Sequence, residues 1–184
     1  MPIHARVLAF VLAAGLAGVG APAAAFDSVP ALLAEAECAS PPAADAERYA
    51  ARDLGAQECP GLAPFRVFFI ASDTSSWLDV AYPGGLWSAE QAVVYEHPVG
   101  LFPNVGSGGS EWRLDDAGRP VALIVRIEAQ DPEQPDQPER IRSELLVVRL
   151  QPDGACLIGR DADLAAARAI ADGPERCPPP APPG

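Results

Sequence analysis

"PVALIVRIEAQDPEQPDQPERIRSELLVVRLQPDGACLIGR", residues 120–160, decides the fold class. In its first arm Val121, Leu123, Val125 and Ile127 recur at every second position, the period that turns one side of a strand into a core. The second arm, "SELLVVRLQ" at 143–151, answers with Leu146, Val148 and Leu150. Between the arms "DPEQPDQPE" (131–139) spaces acids and carbonyls as a calcium loop would. Its three prolines and lack of glycine contradict the EF-hand pattern, and it reads as a long acidic hairpin tip. Gln151-Pro152-Asp153-Gly154 then turns the chain into a further strand, "GACLIGR" (154–160).

The same grammar extends outward from this hairpin. Short β segments are expected at 65–71, 76–82, 91–96 and 111–115, with Tyr82-Pro83-Gly84-Gly85 and Asp115-Asp116-Ala117-Gly118 as turns. Beyond Arg160 the pattern becomes helical, with Asp161 as N-cap, Leu164, Ala167, Ile170 and Ala171 on one face, and Gly173 as the stop. Residues 26–58 read as an N-terminal helical or loosely ordered segment, with Ser28 a candidate N-cap and Ser40-Pro41-Pro42 a break before "DAERYAARDL" (45–54). The expected fold is α+β: a mostly antiparallel meander of about six to seven strands, a C-terminal helix, an N-terminal helical segment and two disulfides. Its domain spans 59–177, and "PPPAPPG" from 178 is a polyproline-like tail.

Residues 1–25, "MPIHARVLAFVLAAGLAGVGAPAAA", carry Arg6, a short apolar run and Ala23-Ala24-Ala25, the features of a secretory signal peptide cut before Phe26. The run is too short and too glycine-rich to span a bilayer, so the exported chain is expected to be periplasmic or secreted, with no membrane insertion after cleavage. Without Arg6, 12 arginines and no lysine stand against 25 acidic residues. Such a charge repels phosphate backbones and anionic lipid, which argues against nucleic acid and membrane surfaces as partners. Four cysteines, Cys38, Cys59, Cys156 and Cys177, are expected to oxidise in that compartment. Three pairings are possible. Spacing favours Cys38 with Cys59 and Cys156 with Cys177, each bridge closing a loop of about 20 residues and contributing about 3 kcal/mol. A metal site is disfavoured, because no C-x-x-C occurs and the chain beyond the leader holds one histidine, His97.

The order "EWRL" (111–114), Gly118-x-Pro120, Ala122-Leu123-Ile124-x-Arg126, "LLVVRL" (145–150), "GACLIG" (154–159), "AAARAIAD" (165–172) and Cys177 resembles an uncharacterised family of small exported bacterial proteins. The likeness spans about residues 57–177, and its most specific part is the closing order of Gly-Ala-Cys strand, Ala-Arg-x-x-Ala-Asp helix and cysteine. It implies the strand-and-helix ending and a bridge between Cys156 and Cys177. It implies no catalytic residues.

Candidate chemistry is sparse. Alternation puts Glu111, Arg113 and Asp115 on one face of their strand and Trp112 on the other, so Glu111 and Arg113 are expected to pair across a solvated ladder while Trp112 enters the core. Asp115 and Asp116 read as turn residues before Gly118; a general acid and base pair would need environments that push two carboxyl pKa values apart. His97 is the one imidazole for acid-base work, with Ser88, Ser107 or Ser110 as conceivable neighbours, but no G-x-S-x-G elbow accompanies them. "NVGSGGS" (104–110) lacks a Gly-Lys-Ser/Thr ending and a following helix, so it reads as a connector, and no cofactor is expected. Two functions follow. The favoured one is a non-catalytic binding or accessory module whose unknown protein or small-molecule ligand meets an exposed surface carrying Trp77, Tyr82 or Trp87, or the loops around His97. The other is a small hydrolase using His97 or the carboxylates of Glu111, Asp115 and Asp116.

Overall fold

The computed structural model describes residues 26–96 and 98–178. The expected leader over 1–25, His97 and the tail beyond Pro178 lie outside the described residues.

Ten strands form two antiparallel sheets among the described residues. The larger is built on β7 (Glu111–Leu114), β8 (Pro120–Gln130), β9 (Ile141–Gln151) and β10 (Gly154–Asp161). β1 (Asp27–Pro30) pairs with β7 at one edge, β10 lies at the other, and β6 (Leu101–Val105) pairs with the far end of β8. The long hairpin has the expected facing pairs, with Leu123 opposite Val148 and Val125 opposite Leu146. The smaller sheet runs β2 (Gly55–Cys59), β3 (Arg66–Ala71), β4 (Ser76–Tyr82) and β5 (Gly85–Ser88). Val67, Leu78 and Val80 from it share one apolar core with Leu123, Val125, Leu146 and Val148.

The opposite face of the larger sheet is covered by helix α2 (Leu164–Ala171), whose Ala167 and Ala171 pack on Ala122, Ile124, Leu145 and Val147. Small residues let the helix lie close to the strands. Helix α1 (Ala43–Ala50) covers the smaller sheet through Tyr49, which meets the Phe68 ring. Cys38–Cys59 and Cys156–Cys177 are bonded, so the α+β class and the disulfide pairing stand as read. Two bridges suit an oxidising, extracytoplasmic environment. Among the described residues no helix is long and apolar enough to cross a membrane.

Several local assignments are corrected. Ser28 caps no helix: it sits in β1, where Asp27–Pro30 pair with Glu111–Leu114. Of the N-terminal segment, 43–50 is helical, while 55–59 is a strand of the smaller sheet. Residues Gln91–Glu96, read as a strand, wind into a wide helical turn. The Ser88 hydroxyl accepts from Glu90 N–H at 3.2 Å, and Ala89 C=O accepts from Val93 N–H at 2.9 Å, so side chain and backbone begin the turn together. α2 is capped by Asp163, whose carboxylate accepts from Ala166 N–H at 2.9 Å, because β10 continues as far as Asp161.

Candidate ligand cavity and buried charges

β9 puts Leu145, Val147 and Arg149 on the face that α2 covers, and Leu146, Val148 and Leu150 on the core face. The helix is too short to cover all three of the first set. It ends at Ala171, above Ala122, Ile124, Leu145 and Val147, and Arg149 lies past its end. There the chain Gly173–Arg176 crosses over and is returned to β10 by the Cys156–Cys177 bridge; Cys156 is the cross-strand neighbour of Arg149. Cys177 N–H also donates to Gln151 Oε1 at 2.9 Å.

This overpass, the β7–β8 and β9–β10 turns, the Ala63–Phe65 loop and Phe26 enclose a cavity of about 600 Å³, within the range of small-molecule sites. Its apolar walls include Phe26, Phe65, Val121 and Leu150; its charged groups are Arg119, Arg149, Arg176, Asp115 and Glu175. Val121, expected to be fully in the core, is half-buried because it forms part of this wall.

Arg149 is 8% exposed. Its Nη2 donates to Gly173 C=O at 2.8 Å and its Nη1 makes a long 3.4 Å contact with Val121 C=O, while Nε is buried without a partner. Asp172 and Glu175 are near enough to favour its charge and Arg176 near enough to oppose it, yet none of them bonds to it; burial holds the guanidinium below the ordinary arginine range. It stays cationic, since arginine does not deprotonate in proteins.

Glu111 and Arg113 do share a face, as alternation requires, but that face is not solvated. Both are buried by α2 and β1, and the expected pairing between them is replaced by two forks to the helix. Arg168 donates to the Glu111 carboxylate from Nε at 2.7 Å and from Nη2 at 2.6 Å. Arg113 donates to Asp172 at 2.9 and 2.6 Å. The Ser28 hydroxyl joins the forks, accepting from Arg113 and donating to Glu111 at 2.9 Å. Hydrogen bonds from Arg168, then that from Ser28, hold the Glu111 carboxyl below the usual carboxylate range. Glu111 is thereby an ion-pair partner.

Asp115 does the turn work expected of it. Its carboxylate accepts from Ala117 N–H at 3.0 Å and Arg119 N–H at 2.9 Å, and also pairs with the Arg119 side chain at 2.8 Å. Gly118, at φ +72°, takes the left-handed position that closes the turn. Asp116 is exposed beside it. The structure therefore separates the three carboxylates: one serves the helix, one the turn, one faces water.

The aromatic candidates are not one exposed surface. Trp77 is buried, and Tyr82 and Trp87 pack partly buried against the shared core. An acid that sequence reasoning passed over is Asp79 on β4: it is buried, accepts from the Tyr49 hydroxyl at 3.0 Å, and has its pKa raised by desolvation. Among the described residues no three His, Cys, Asp or Glu side chains are grouped to hold a metal. No family model matches this chain, no curated protein is similar to it in sequence, and no solved structure is similar to it in fold.

Proposed function

We propose that this chain is an exported, periplasmic or secreted, non-catalytic binding module, and that its ligand occupies the cavity beneath Gly173–Arg176. The observation that carries the reading is the cavity itself: about 600 Å³, walled by apolar side chains, and roofed by a disulfide-tethered segment. Of the candidate carboxylates, Glu111 is engaged in its fork to Arg168 and Asp115 in its turn with Arg119. Phe26, the expected first residue after leader cleavage, forms part of the wall, so the site belongs to the matured chain. The resemblance to small exported proteins and the pair of disulfides support the same compartment.

The test uses Nile red, a neutral apolar probe, titrated into the oxidised protein and into Val121→Trp, which places an indole in the cavity. Nile red emission should rise and shift to the blue with the native protein and not with the variant, whose circular dichroism should be unchanged. Equal emission from both proteins, or none from either, would refute the cavity as a ligand site.

A further inference from the structure

We infer that the ligand is an organic anion, a carboxylate on an apolar body, and that Arg149 receives the carboxylate. This rests on the cavity being the ligand site.

Six charged residues are buried among the described residues: Asp45, Asp79, Glu111, Arg113, Asp131 and Arg149. Four have a partner of opposite charge, in Arg66, Arg168, Asp172 and Arg142 respectively. Asp79 and Arg149 have none among the described residues, and their chemistry differs. A buried carboxyl can take up a proton and become neutral, and Asp79 already has a hydroxyl donor in Tyr49. A guanidinium has no such exit and needs an anion. Arg149 stands at a cavity, where an anion can reach it.

The charge of the lining selects the class. Arg119, Arg149 and Arg176 against Asp115 and Glu175 leave one positive charge, in a chain whose formal net charge is −12. With Asp115 held by Arg119, the open contest is Arg149 and Arg176 against Glu175. A carboxylate answers that excess, and the α-ammonium that leader cleavage would leave on Phe26 adds to the pull on it. Inorganic phosphate has no apolar body to bury there and meets Glu175 and the negative field of the chain. Nη1, held by only the 3.4 Å contact with Val121 C=O, is the donor best placed to turn to a carboxylate. Phe26, Phe65, Val121 and Leu150 suit an alkyl or aromatic body and offer nothing to a small hydrophilic anion.

Calorimetric titration of the oxidised protein with octanoate, octanol, octylamine and inorganic phosphate tests this. Octanoate should bind at least about tenfold more tightly than octanol, the worth of a charge-assisted hydrogen bond, while octylamine and phosphate should give no heat. Arg149→Met should bring octanoate down to the affinity of octanol. It should also raise the Tm of the empty protein, because a buried cation held by carbonyls alone has been replaced by an apolar chain of similar length. Octanol equal to octanoate, tight phosphate binding, an Arg149→Met that keeps octanoate selectivity, or one whose Tm falls would each overturn the anion assignment. If Val121→Trp abolishes binding in those cases, the cavity survives as the ligand site. If Val121→Trp binds both eight-carbon probes like the native protein, or if no probe binds, the cavity reading fails as well.

Discussion

Two bidentate ion pairs join α2 to β7, and they should differ several-fold in what they contribute. The charges left behind are equally buried, Arg113 of the inner pair at 8% and Glu111 of the outer at 9% exposed, but the lost partners differ: Asp172 is 27% and Arg168 41% exposed, so water reaches the second vacancy more easily. Asp172→Ala leaves Arg113 Nε and Nη2 without their carboxylate. Losing one partner of a buried pair costs about 3–5 kcal/mol, and the remaining contacts of Arg113 with the Ser28 hydroxyl and Phe26 carbonyl place this case near about 3 kcal/mol. Arg168→Ala opens a rim position where water replaces the guanidinium at Glu111, which keeps the Ser28 hydroxyl and stays near Arg113. Its cost, discounted for solvent screening, is about 1 kcal/mol. With a urea m-value of about 2 kcal/mol/M, the midpoints should fall by about 1.5 M for Asp172→Ala and about 0.5 M for Arg168→Ala at neutral pH with both disulfides intact. Circular dichroism and tryptophan fluorescence should give coincident transitions. Equal losses, or the larger loss from Arg168→Ala, would refute the argument that the access of water to the vacated position decides the cost.

Leu123→Ala, at a fully buried position of the shared core, should cost about 2–5 kcal/mol by chemical denaturation, whereas trimming residues 133–137 from the exposed hairpin tip should cost less than about 1 kcal/mol. Glu111 is held below its ordinary pKa, so its contribution is complete above the unfolded value of about 4.3 and disappears as pH falls through the folded value. Stability curves of the native protein and Glu111→Gln should therefore converge in acid. Asp79 is raised, so the opposite sign applies: its native form is best tolerated in acid and costs stability as pH climbs from the unfolded value to the folded one. Asp79→Asn, which can still accept from Tyr49, should be more stable than the native protein at pH 7, with the gain vanishing in acid; no gain would show that the ionised carboxyl is accommodated. Replacing Cys156 and Cys177 by serine should cost about 3 kcal/mol and weaken Nile red binding, because the roof over the cavity loses its tether.

The hairpin and its partners were legible because their cause is local. Period-two runs at 120–130 and 141–151 and the Asp-rich and Pro-Asp-Gly turns specify strands without knowledge of the rest of the chain. β1 was not, since Asp27–Pro30 has no apolar period and exists as a strand through pairing with Glu111–Leu114. "QAVVYE" misled because β-branched residues suit both a strand and the first buried turn after Ser88. For Glu111 and Arg113 alternation gave the correct face; what covers that face depends on α2, far along the chain. The cavity left no signal, as its walls come from five separated segments. An arginine in the apolar period of β9, "LLVVRL", is the one local hint that something polar waits there.

The Ser28, Glu111, Arg113, Arg168 and Asp172 cluster couples the first described residues to nearly the last. A ribosome delivers these groups in order. β1 then has to wait, first for β7 and finally for the helix that neutralises the cluster. Before then Glu111 and Arg113 have each other and Ser28 but lack the forks with Arg168 and Asp172. The covering of β7 is thus a long-range event, completed only when residues from both ends of the described chain have met.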